Sequence, residues 1–283
     1  MPSDEVIHPR SVFPVSASLL DTQQAFDSVA ADYDGPLGNN ALIQRLRARL
    51  LNTVITRRAP GSALIDLGCG TGLDAEWLAR RGYSVTATDW SPEMVKRARE
   101  RADRAGLQTR METYALGLHQ LAQLPRADFD GAYSNLGPLN CVSDLESVAH
   151  ALAAKLKPGG LLVASVIGRV CLWELALFGL KGQWARARLR FAPEFIPVPL
   201  NGHTVWTRYY TPREFASIFV RAGFERVSLR ALSLFVPPPY MVAFAERHPR
   251  VIDALQSLED HAGAWPLFRE WGDHFLIVLQ KRG

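Results

Sequence analysis

Short apolar runs alternate with segments whose apolar residues recur at helical spacing through most of the chain. The run Ala63–Leu67 ends in glycines and is typical of a strand buried in a parallel sheet. Residues 92–106 show the helical pattern, and Ser91 with Pro92 supplies an N-cap and a first-turn proline. The alternation predicts an α/β protein with a doubly wound, mostly parallel sheet that helices cover on both faces.

The predicted sheet has seven strands. They are expected at Ala63–Leu67, 84–88, 109–115, Phe129–Ser134, 161–167, 226–235 and 274–280. Capping boxes at Ser143 with Glu146 and at Thr211 with Glu214 begin the helices before the fifth and sixth strands. Further helices are predicted over 23–33, 40–57, 72–81 and parts of 240–265.

This rhythm divides the chain into four segments. Residues 1–38 are predicted to form an N-terminal arm and a helix, and residues 39–167 a Rossmann-like core. Residues 168–209 interrupt the pattern with apolar, basic and proline-rich pieces, which indicates an insertion over one edge of the sheet. Residues 210–283 are expected to complete the sheet, with a helical insertion of their own.

Composition favours a soluble globular protein without a nucleic-acid partner. The hydrophobic fraction is 48%, the charged fraction is 21%, and the net charge of +4 comes from scattered residues. A basic cluster from Lys181 to Arg190 is interpreted as a solvated face. The most apolar stretch, residues 161–180, contains Arg169 and Glu174 and is therefore not expected to form a transmembrane segment.

The three cysteines, Cys69, Cys141 and Cys171, are widely spaced and form no CxxC pair. This spacing predicts neither a disulfide framework nor a bound metal, and it suits a reducing cytoplasm. The residues near the N-terminus lack the apolar run of a secretory signal, which supports the same location.

The segment from Asp66 to Asp89 carries the strongest chemical signal. Gly68, Gly70 and Gly72 leave a predicted strand and open a predicted helix, where glycines let backbone approach a ligand closely. Their GxGxG spacing differs from the GxGxxG of dinucleotide-binding oxidoreductases. A carboxylate at Asp66 would repel a pyrophosphate but suits an ammonium group, and Asp89 can accept both hydroxyls of a ribose. The segment therefore favours a nucleoside that carries an amino group and no phosphate.

These residues resemble the motifs of the class I S-adenosylmethionine-dependent methyltransferases. The similar segments are the first motif at 66–72, the second at 85–94, the fourth-strand motif at 129–135, the turn at 156–160 and a cofactor-covering helix at 26–34. The resemblance implies a seven-stranded Rossmann-like fold with an inserted lid. It also implies methyl transfer from S-adenosyl-L-methionine, with S-adenosyl-L-homocysteine as the product.

The resemblance further implies which residues bind the cofactor, with Asp66 near its amino group and Asp89 on its ribose. The implied set is Phe26, Tyr33, Asp66, Gly68, Cys69, Gly70, Gly72, Asp89, Trp90, Met94, Leu116, Gly117, Leu118, Asn135 and Leu136. One departure is that residues 114–120 lack the aspartate that many members place on the adenine amino group. Leu118 or Gln120 is the expected substitute.

The catalytic residue is much less visible than the cofactor site. A sulfonium donor is already activated, so the protein chiefly holds the nucleophile in line, and a base is needed only when the nucleophile arrives protonated. The candidates are His203, Tyr209, Tyr210 and Asn140, with His119 near the cofactor. The alternative for each histidine and tyrosine is a surface or packing role, and for Asn140 a turn role.

The insertion is expected to bind the methyl acceptor. An apolar helix over 170–178, the aromatic residues Phe191, Phe195 and Trp206, and residues 236–244 would wall a pocket for a partly apolar small molecule. The leading hypothesis is transfer to an oxygen or nitrogen of a secondary-metabolite-like compound. Carbon methylation of a quinone or lipid, with peripheral membrane contact, and non-catalytic binding of the cofactor are the alternatives.

Overall fold

A single seven-stranded sheet organises the computed structural model, which describes residues 15–35 and 38–283, with only the backbone for residues 15–17. Its strands are β1 (Ala63–Leu67), β2 (Ser84–Asp89), β3 (Met111–Ala115), β4 (Phe129–Ser134), β5 (Leu156–Ile167), β8 (Phe224–Leu232) and β9 (His274–Lys281). The order is β3-β2-β1-β4-β5-β9-β8. β1 to β5 run parallel and β9 is antiparallel to both neighbours, so the predicted mostly parallel, Rossmann-like sheet is confirmed. The first part of the predicted N-terminal arm and Pro36 lie outside the described residues.

Helices cover both faces of this sheet. They are α1 (Val15–Val29), α2 (Ala41–Arg57), α3 (Leu73–Ala79), α4 (Pro92–Ala105), α5 (Leu145–Lys155), α6 (Leu172–Leu180), α7 (Trp184–Ala187), α8 (Pro212–Arg221), α9 (Val242–Arg247) and α10 (Pro249–Ala262). Within the described ranges, no helix has both the length and the apolar character needed to span a membrane.

Local capping chemistry sets several helix starts. The Ser91 hydroxyl accepts from the Met94 N–H at the start of α4, and Thr211 with Glu214 forms the predicted capping box of α8. The predicted box of α5 is wrong, because Asp144 rather than Ser143 accepts from the backbone N–H three residues later. A carboxylate at this position also favours the positive end of the helix dipole.

Two apolar layers hold the sheet between its helices. Successive residues of β1 point to opposite faces, so Leu64 packs with α2, α3 and α4 while Ile65 packs with α5 and α8. All five β1 side chains are buried, as expected for a central parallel strand. Helices cover both faces of the sheet, so a binding site can form from the loops at the carboxyl ends of β1 to β5.

The chain between β5 and α8 contains α6, α7 and a two-stranded hairpin, β6 (Ile196–Leu200) and β7 (His203–Thr207). The hairpin was not predicted. Asn201 and Gly202 form its turn with φ of 49° and 79°, which matches the left-handed pair of a type I′ turn.

A buried arginine fastens this insertion to the sheet. Arg190, predicted as part of a solvated basic face, is instead buried between the carboxylates of Glu174 and Asp273. It also donates to the Gly168 carbonyl at 3.1 Å. The prediction failed because the partners of Arg190 lie 16 and 83 residues away in sequence.

Candidate functional site

A cavity of about 320 Å³ lies over the carboxyl ends of β1 to β5. It is roofed by α1 on one side and by the β6–β7 hairpin on the other. The predicted residues that line it are Phe26, Tyr33, Gly68, Cys69, Gly70, Asp89, Trp90, Met94, Leu116, Leu118, Asn135 and Leu136. The structure thus brings most of the predicted cofactor residues to one wall of one cavity.

The glycine loop after β1 is shaped by close packing. Gly68 has a φ of 85°, and a Cβ at this position would lie 2.4 Å from the Pro138 side chain. Gly72 has a φ of 82° and faces away from the lining, where a Cβ would meet Ala98 and Met111. Gly70 therefore presents backbone to the cavity while its neighbours allow the loop to fold tightly.

Asp89 is held in a fixed orientation at the end of β2. Its two carboxylate oxygens accept from the backbone N–H groups of Gly70 at 2.8 Å and Ser91 at 2.9 Å. Burial raises the pKa of Asp89 above its ordinary value, although these hydrogen bonds oppose the shift. A pre-oriented, poorly hydrated carboxylate of this kind is suited to accepting hydroxyl groups.

Asp66 lies beneath the loop, outside the cavity lining. It is buried, and its Oδ2 accepts from the Tyr133 hydroxyl at 2.9 Å. Burial and the nearby Asp74 carboxylate raise its pKa well above the ordinary value. Tyr133 thus already engages one of the two oxygens of the carboxylate that was expected near an ammonium group.

A charged network that the sequence did not reveal lies beside the loop. Arg47 on α2 donates to Asp74 on α3 at 2.6 Å, and the Asn135 amide nitrogen donates to the other Asp74 oxygen at 2.9 Å. Two buried atoms of this network, Arg47 Nε and Asn135 Oδ1, have no hydrogen-bond partner among the described residues. Both residues line the cavity, so an unsatisfied donor and an unsatisfied acceptor lie beside it.

The N-terminal helix is tied down over the end of β2. The Gln23 amide donates to the Trp90 carbonyl at 2.9 Å, and the Trp90 indole donates to the Leu19 carbonyl at 3.2 Å. The Ser91 hydroxyl donates to Asp27 at 2.5 Å. These bonds fix α1 across one side of the cavity.

The turn after α1 closes the loop side of the cavity. The Tyr33 ring lies over Gly70 and meets Phe26 edge to face with centroids 6.3 Å apart. Burial raises the pKa of Tyr33 to about 12. Thr71 donates to Asp34 at 2.5 Å, which attaches this turn to the glycine loop.

A histidine occupies the region where the usual aspartate is missing. His119 lines the cavity and packs edge-on against Trp90, with ring centroids 4.6 Å apart. Gly117 makes this possible, since a Cβ there would clash with both rings. Leu118 lines the cavity, but Gln120 uses its side-chain oxygen to accept from the Gly117 N–H at 3.2 Å.

The hairpin supplies the second, apolar wall. The hairpin residues in the lining are Val198, Pro199, Leu200, Val205 and Thr207. Several hydrogen bonds tie the hairpin to α1. The Trp206 indole donates to Asp21 at 3.0 Å, the Trp206 N–H to Thr22 at 3.3 Å, and the Asn201 amide to Ser28 at 3.2 Å. The apolar helix α6 and residues 236–244, both expected to wall the pocket, contribute nothing to the lining. The hairpin takes their place, since β7 packs against α1 and against the turn Pro138–Cys141 that follows β4.

The four catalytic candidates all lie outside the lining. His203 is exposed at the start of β7, and Tyr209 lies beside Arg190 with 5.0 Å between the guanidinium carbon and the ring centroid. Tyr210 is buried in the core. Asn140 bonds to both backbone groups of Ile167, at 2.9 and 3.0 Å, and so joins the ends of β4 and β5.

The chain is similar in sequence to known methyltransferases. Residues 64–160 match the model of a family described as "Methyltransferase domain". A ubiquinone biosynthesis O-methyltransferase of Xylella fastidiosa is 34% identical over 73% of this chain and 77% of its own length. A protein of the same name from Methylocella silvestris is 28% identical over 91% of this chain and 92% of its own.

The fold is shared more widely than the sequence. A 1,6-didemethyltoxoflavin-N1-methyltransferase of Burkholderia thailandensis, solved with S-adenosylhomocysteine bound, superposes with a TM-score of 0.59 and 18% identity. The match covers 98% of this chain and 94% of that one. At this identity the likeness shows the fold alone.

Proposed function

Because the chain belongs to the class I S-adenosylmethionine-dependent methyltransferases and methylates a small molecule with that cofactor, we propose that the accepting atom is an oxygen of a partly apolar compound. The observation that carries this proposal is a cavity with two chemically different walls. One wall holds the glycine loop and a charged network, and the other is the apolar face of the hairpin.

The polar wall suits the amino-acid end of S-adenosylmethionine. Arg47 Nε is a buried donor without a partner and matches a carboxylate, while Asn135 Oδ1 is a buried acceptor without a partner and matches an ammonium group. Both residues are already oriented by Asp74. We assign the ammonium contact to Asn135 rather than to Asp66, whose carboxylate is engaged by Tyr133.

The rest of the polar wall suits the nucleoside. Asp89 would accept the ribose hydroxyls, since its orientation is set by two backbone N–H groups. Trp90 and Met94, with Leu118 and His119, would enclose the adenine ring between apolar surfaces. Gly68, Cys69 and Gly70 would pack their backbone along the cofactor, while Gly72 and Gly117 act indirectly by allowing close packing.

The protein contributes position and exclusion of water to this reaction. When bound, S-adenosylmethionine supplies a methyl group on a positively charged sulfur, which needs no further activation. α1 and the hairpin cover the cavity from two sides, and the bonds of Asp21 and Ser28 join these two elements. A nucleophile held in line under this cover reacts without a bimolecular encounter.

We assign acceptor binding to residues 168–209, as the division of the chain into segments predicts. The hairpin's apolar residues line the cavity. The choice of oxygen is supported by the two relatives named as O-methyltransferases, which extend over most of the chain. Nitrogen and carbon acceptors remain the outcomes that the following assay separates.

The assay uses methyl-labelled S-adenosylmethionine and three acceptors that share the same apolar ring. The first acceptor carries a hydroxyl, the second an amine and the third an activated carbon. We expect label in the methyl ether, with release of S-adenosylhomocysteine. Label in the N-methyl or C-methyl product would assign a different acceptor atom. Tight binding of the cofactor without product from any of these acceptors would support the non-catalytic alternative.

The insertion also offers a surface for peripheral membrane contact. Leu180 and Trp184 are 90% and 61% exposed, beside the exposed basic residues Lys181, Arg186 and Arg188. We propose that this surface binds anionic lipid from the cytoplasmic side. The reducing cytoplasm would also keep the three free cysteines as thiols. Trp184→Ser should reduce co-sedimentation with anionic vesicles, whereas the change at another exposed tryptophan, Trp265→Ser, should not.

A further inference from the structure

Asn140 joins three segments of the chain that line the cavity, although it lies outside the lining itself. It belongs to the turn Pro138–Cys141 after β4, and it is fully buried. The three segments are this turn, the end of β5 and the end of β7. They contribute Gly137, Pro138, Cys141, Ile167, Val205 and Thr207 to the lining.

The amide of Asn140 bonds to the backbone of the other two segments. Its Nδ2 donates to the carbonyl oxygens of Ile167 at 3.0 Å and Arg208 at 2.7 Å, and its Oδ1 accepts from the Ile167 N–H at 2.9 Å. The main chain adds a fourth bond, from the Arg208 N–H to the Asn140 carbonyl at 2.8 Å. Two carbonyls need a donor and one N–H needs an acceptor, so a primary amide of this length satisfies all three groups.

The bonds to Arg208 fix the register of β7 against the strand ends. Successive side chains of a strand point to opposite sides, and Val205 and Thr207 line the cavity. Thr204 and Trp206, which alternate with them, lie outside the lining. A slip by one residue would exchange these two sets of side chains. The register held by Asn140 therefore decides which residues of β7 form the cavity wall.

The sequence neighbours of the bonded pair meet in the lining. Cys141 follows Asn140, Thr207 precedes Arg208, and the Cys141 thiol lies beside the Thr207 side chain. Both neighbours line the cavity. A displacement at Asn140 would thus reach the cavity through residues adjacent to it in the chain.

The cofactor wall is held by a different set of bonds. Asp74 joins Arg47 to Asn135, and Asp89 is oriented by backbone N–H groups that follow β1 and β2. The side-chain bonds of Asn140 run to the end of β5 and to the residue after β7 instead. The two walls can therefore be perturbed separately.

We propose that Asn140 is a positioning residue for the methyl acceptor, an inference that rests on the acceptor-binding role proposed above for the hairpin. Asn140 sets the register of β7 and thereby the side chains that line the acceptor's part of the cavity. It acts without contact to either the acceptor or the cofactor. Its loss should weaken recognition of the acceptor and leave cofactor binding intact.

The main test compares Asn140→Asp with wild type, with 2-naphthol as an apolar ring that carries a hydroxyl. The change keeps the size of the side chain but replaces the donating nitrogen with an oxygen beside two carbonyls. kcat/KM for 2-naphthol should fall about 10- to 100-fold, mostly through KM, because a displaced wall misplaces the acceptor. The dissociation constant for S-adenosylhomocysteine, measured by calorimetry, should change less than about twofold, since its contacts are separate.

Two further variants make the comparison decisive. Tyr83→Phe removes a buried hydroxyl that donates to the Arg58 carbonyl at 2.6 Å, just before β2 and at the opposite edge of the sheet from the cavity. It should lower the melting temperature and leave KM unchanged. Asn140→Ser has a smaller side chain and admits water to the vacated backbone groups. If Asn140→Asp does not fold, Asn140→Ser should show the rise in KM.

Amide hydrogen exchange in the presence of S-adenosylhomocysteine provides a readout that needs no turnover. The amides of residues 203–208 should exchange at least about tenfold faster in Asn140→Asp than in wild type, because local opening is governed by the bonds that hold each segment. The amides of β1 and β2 should keep their protection. Tyr83→Phe should leave the exchange of residues 203–208 unchanged.

Two results would overturn the positioning role. One is an unchanged KM in a folded Asn140 variant. The other is an equal loss of affinity for S-adenosylhomocysteine, which would mean that Asn140 supports all the strand ends alike.

Failure of the proposed function gives a different result. If wild type methylates only the amine or the carbon counterpart of 2-naphthol, the proposed oxygen acceptor is wrong, and KM for that compound decides the role of Asn140. If none of the three is methylated, the proposed acceptor site is wrong. Faster exchange confined to residues 203–208 would then support the role of Asn140 in fixing β7, and unchanged exchange would overturn it.

Discussion

Replacement of Arg47 by methionine separates recognition of the amino-acid end of the cofactor from general stability. The change removes the buried Nε donor and the 2.6 Å contact of Nη1 with Asp74. A hydrogen bond to a charged group contributes about 1.5–3 kcal/mol, so the dissociation constant for S-adenosylmethionine should rise about 10- to 150-fold. The pair is largely buried, with side-chain exposures of 17% and 6%. Stability should therefore fall by about 3 kcal/mol, since Asp74 keeps only its bond from Asn135.

The assay compares two ligands by isothermal titration calorimetry. S-adenosylmethionine carries the carboxylate, whereas 5′-methylthioadenosine has the same nucleoside and no amino-acid part. Arg47→Met should weaken the first ligand strongly and change the second less than about threefold. In the double variant with Asp74→Asn, part of the stability should return while the affinity for S-adenosylmethionine stays low, because the uncompensated buried charge is gone.

Equal weakening of both ligands would refute the assigned contact, because it would mean that Arg47 acts only by holding the fold. Unchanged affinity for S-adenosylmethionine would place the carboxylate elsewhere in the cavity. A thermal unfolding curve for each variant shows whether the protein is folded at the temperature of the titration.

Two other predictions concern packing and pH. Gly68→Ala should destabilise the protein by about 2–4 kcal/mol in thermal unfolding, because its Cβ would lie 2.4 Å from Pro138 on a left-handed backbone. The control Gly61→Ala, with φ of 92° and open space, should cost about 1 kcal/mol. Equal losses of stability in the two variants would mean that the contact with Pro138 is unimportant. Burial alone would raise the pKa of Asp273, but Arg190 holds it below the ordinary value. The folded-state pKa is thus depressed, so this group stabilises the protein above about pH 4 and the contribution is lost as pH falls further. In urea titrations, the stability advantage of wild type over Asp273→Asn should shrink below pH 4, and an advantage independent of pH would contradict the ion pair with Arg190.

Much of the fold was readable because its signals are local. Ser91 and Pro92 begin α4, Thr211 begins α8, and the glycines after β1 make a turn that few other residues allow. Each of these effects acts between residues a few positions apart. The sequence was less informative in the insertion, where two prolines in β6 concealed a strand although Asn201 and Gly202 carry a strong hairpin signal.

The chain alone determined the parallel sheet, its cofactor loop and the family to which both belong, because apolar periodicity, caps and glycine turns depend on neighbours in sequence. Only the tertiary structure decided which side chains meet over the strand ends. Arg47 resembled any basic residue on an amphipathic helix until it met Asp74, 27 residues away. From sequence, Asn140 was a candidate catalytic amide, but in the structure it accepts from the Ile167 N–H. Arg190 was interpreted as a solvated cation, but in the structure it donates to Asp273. Such contacts depend on the packing of distant elements, and no short stretch of sequence contains them.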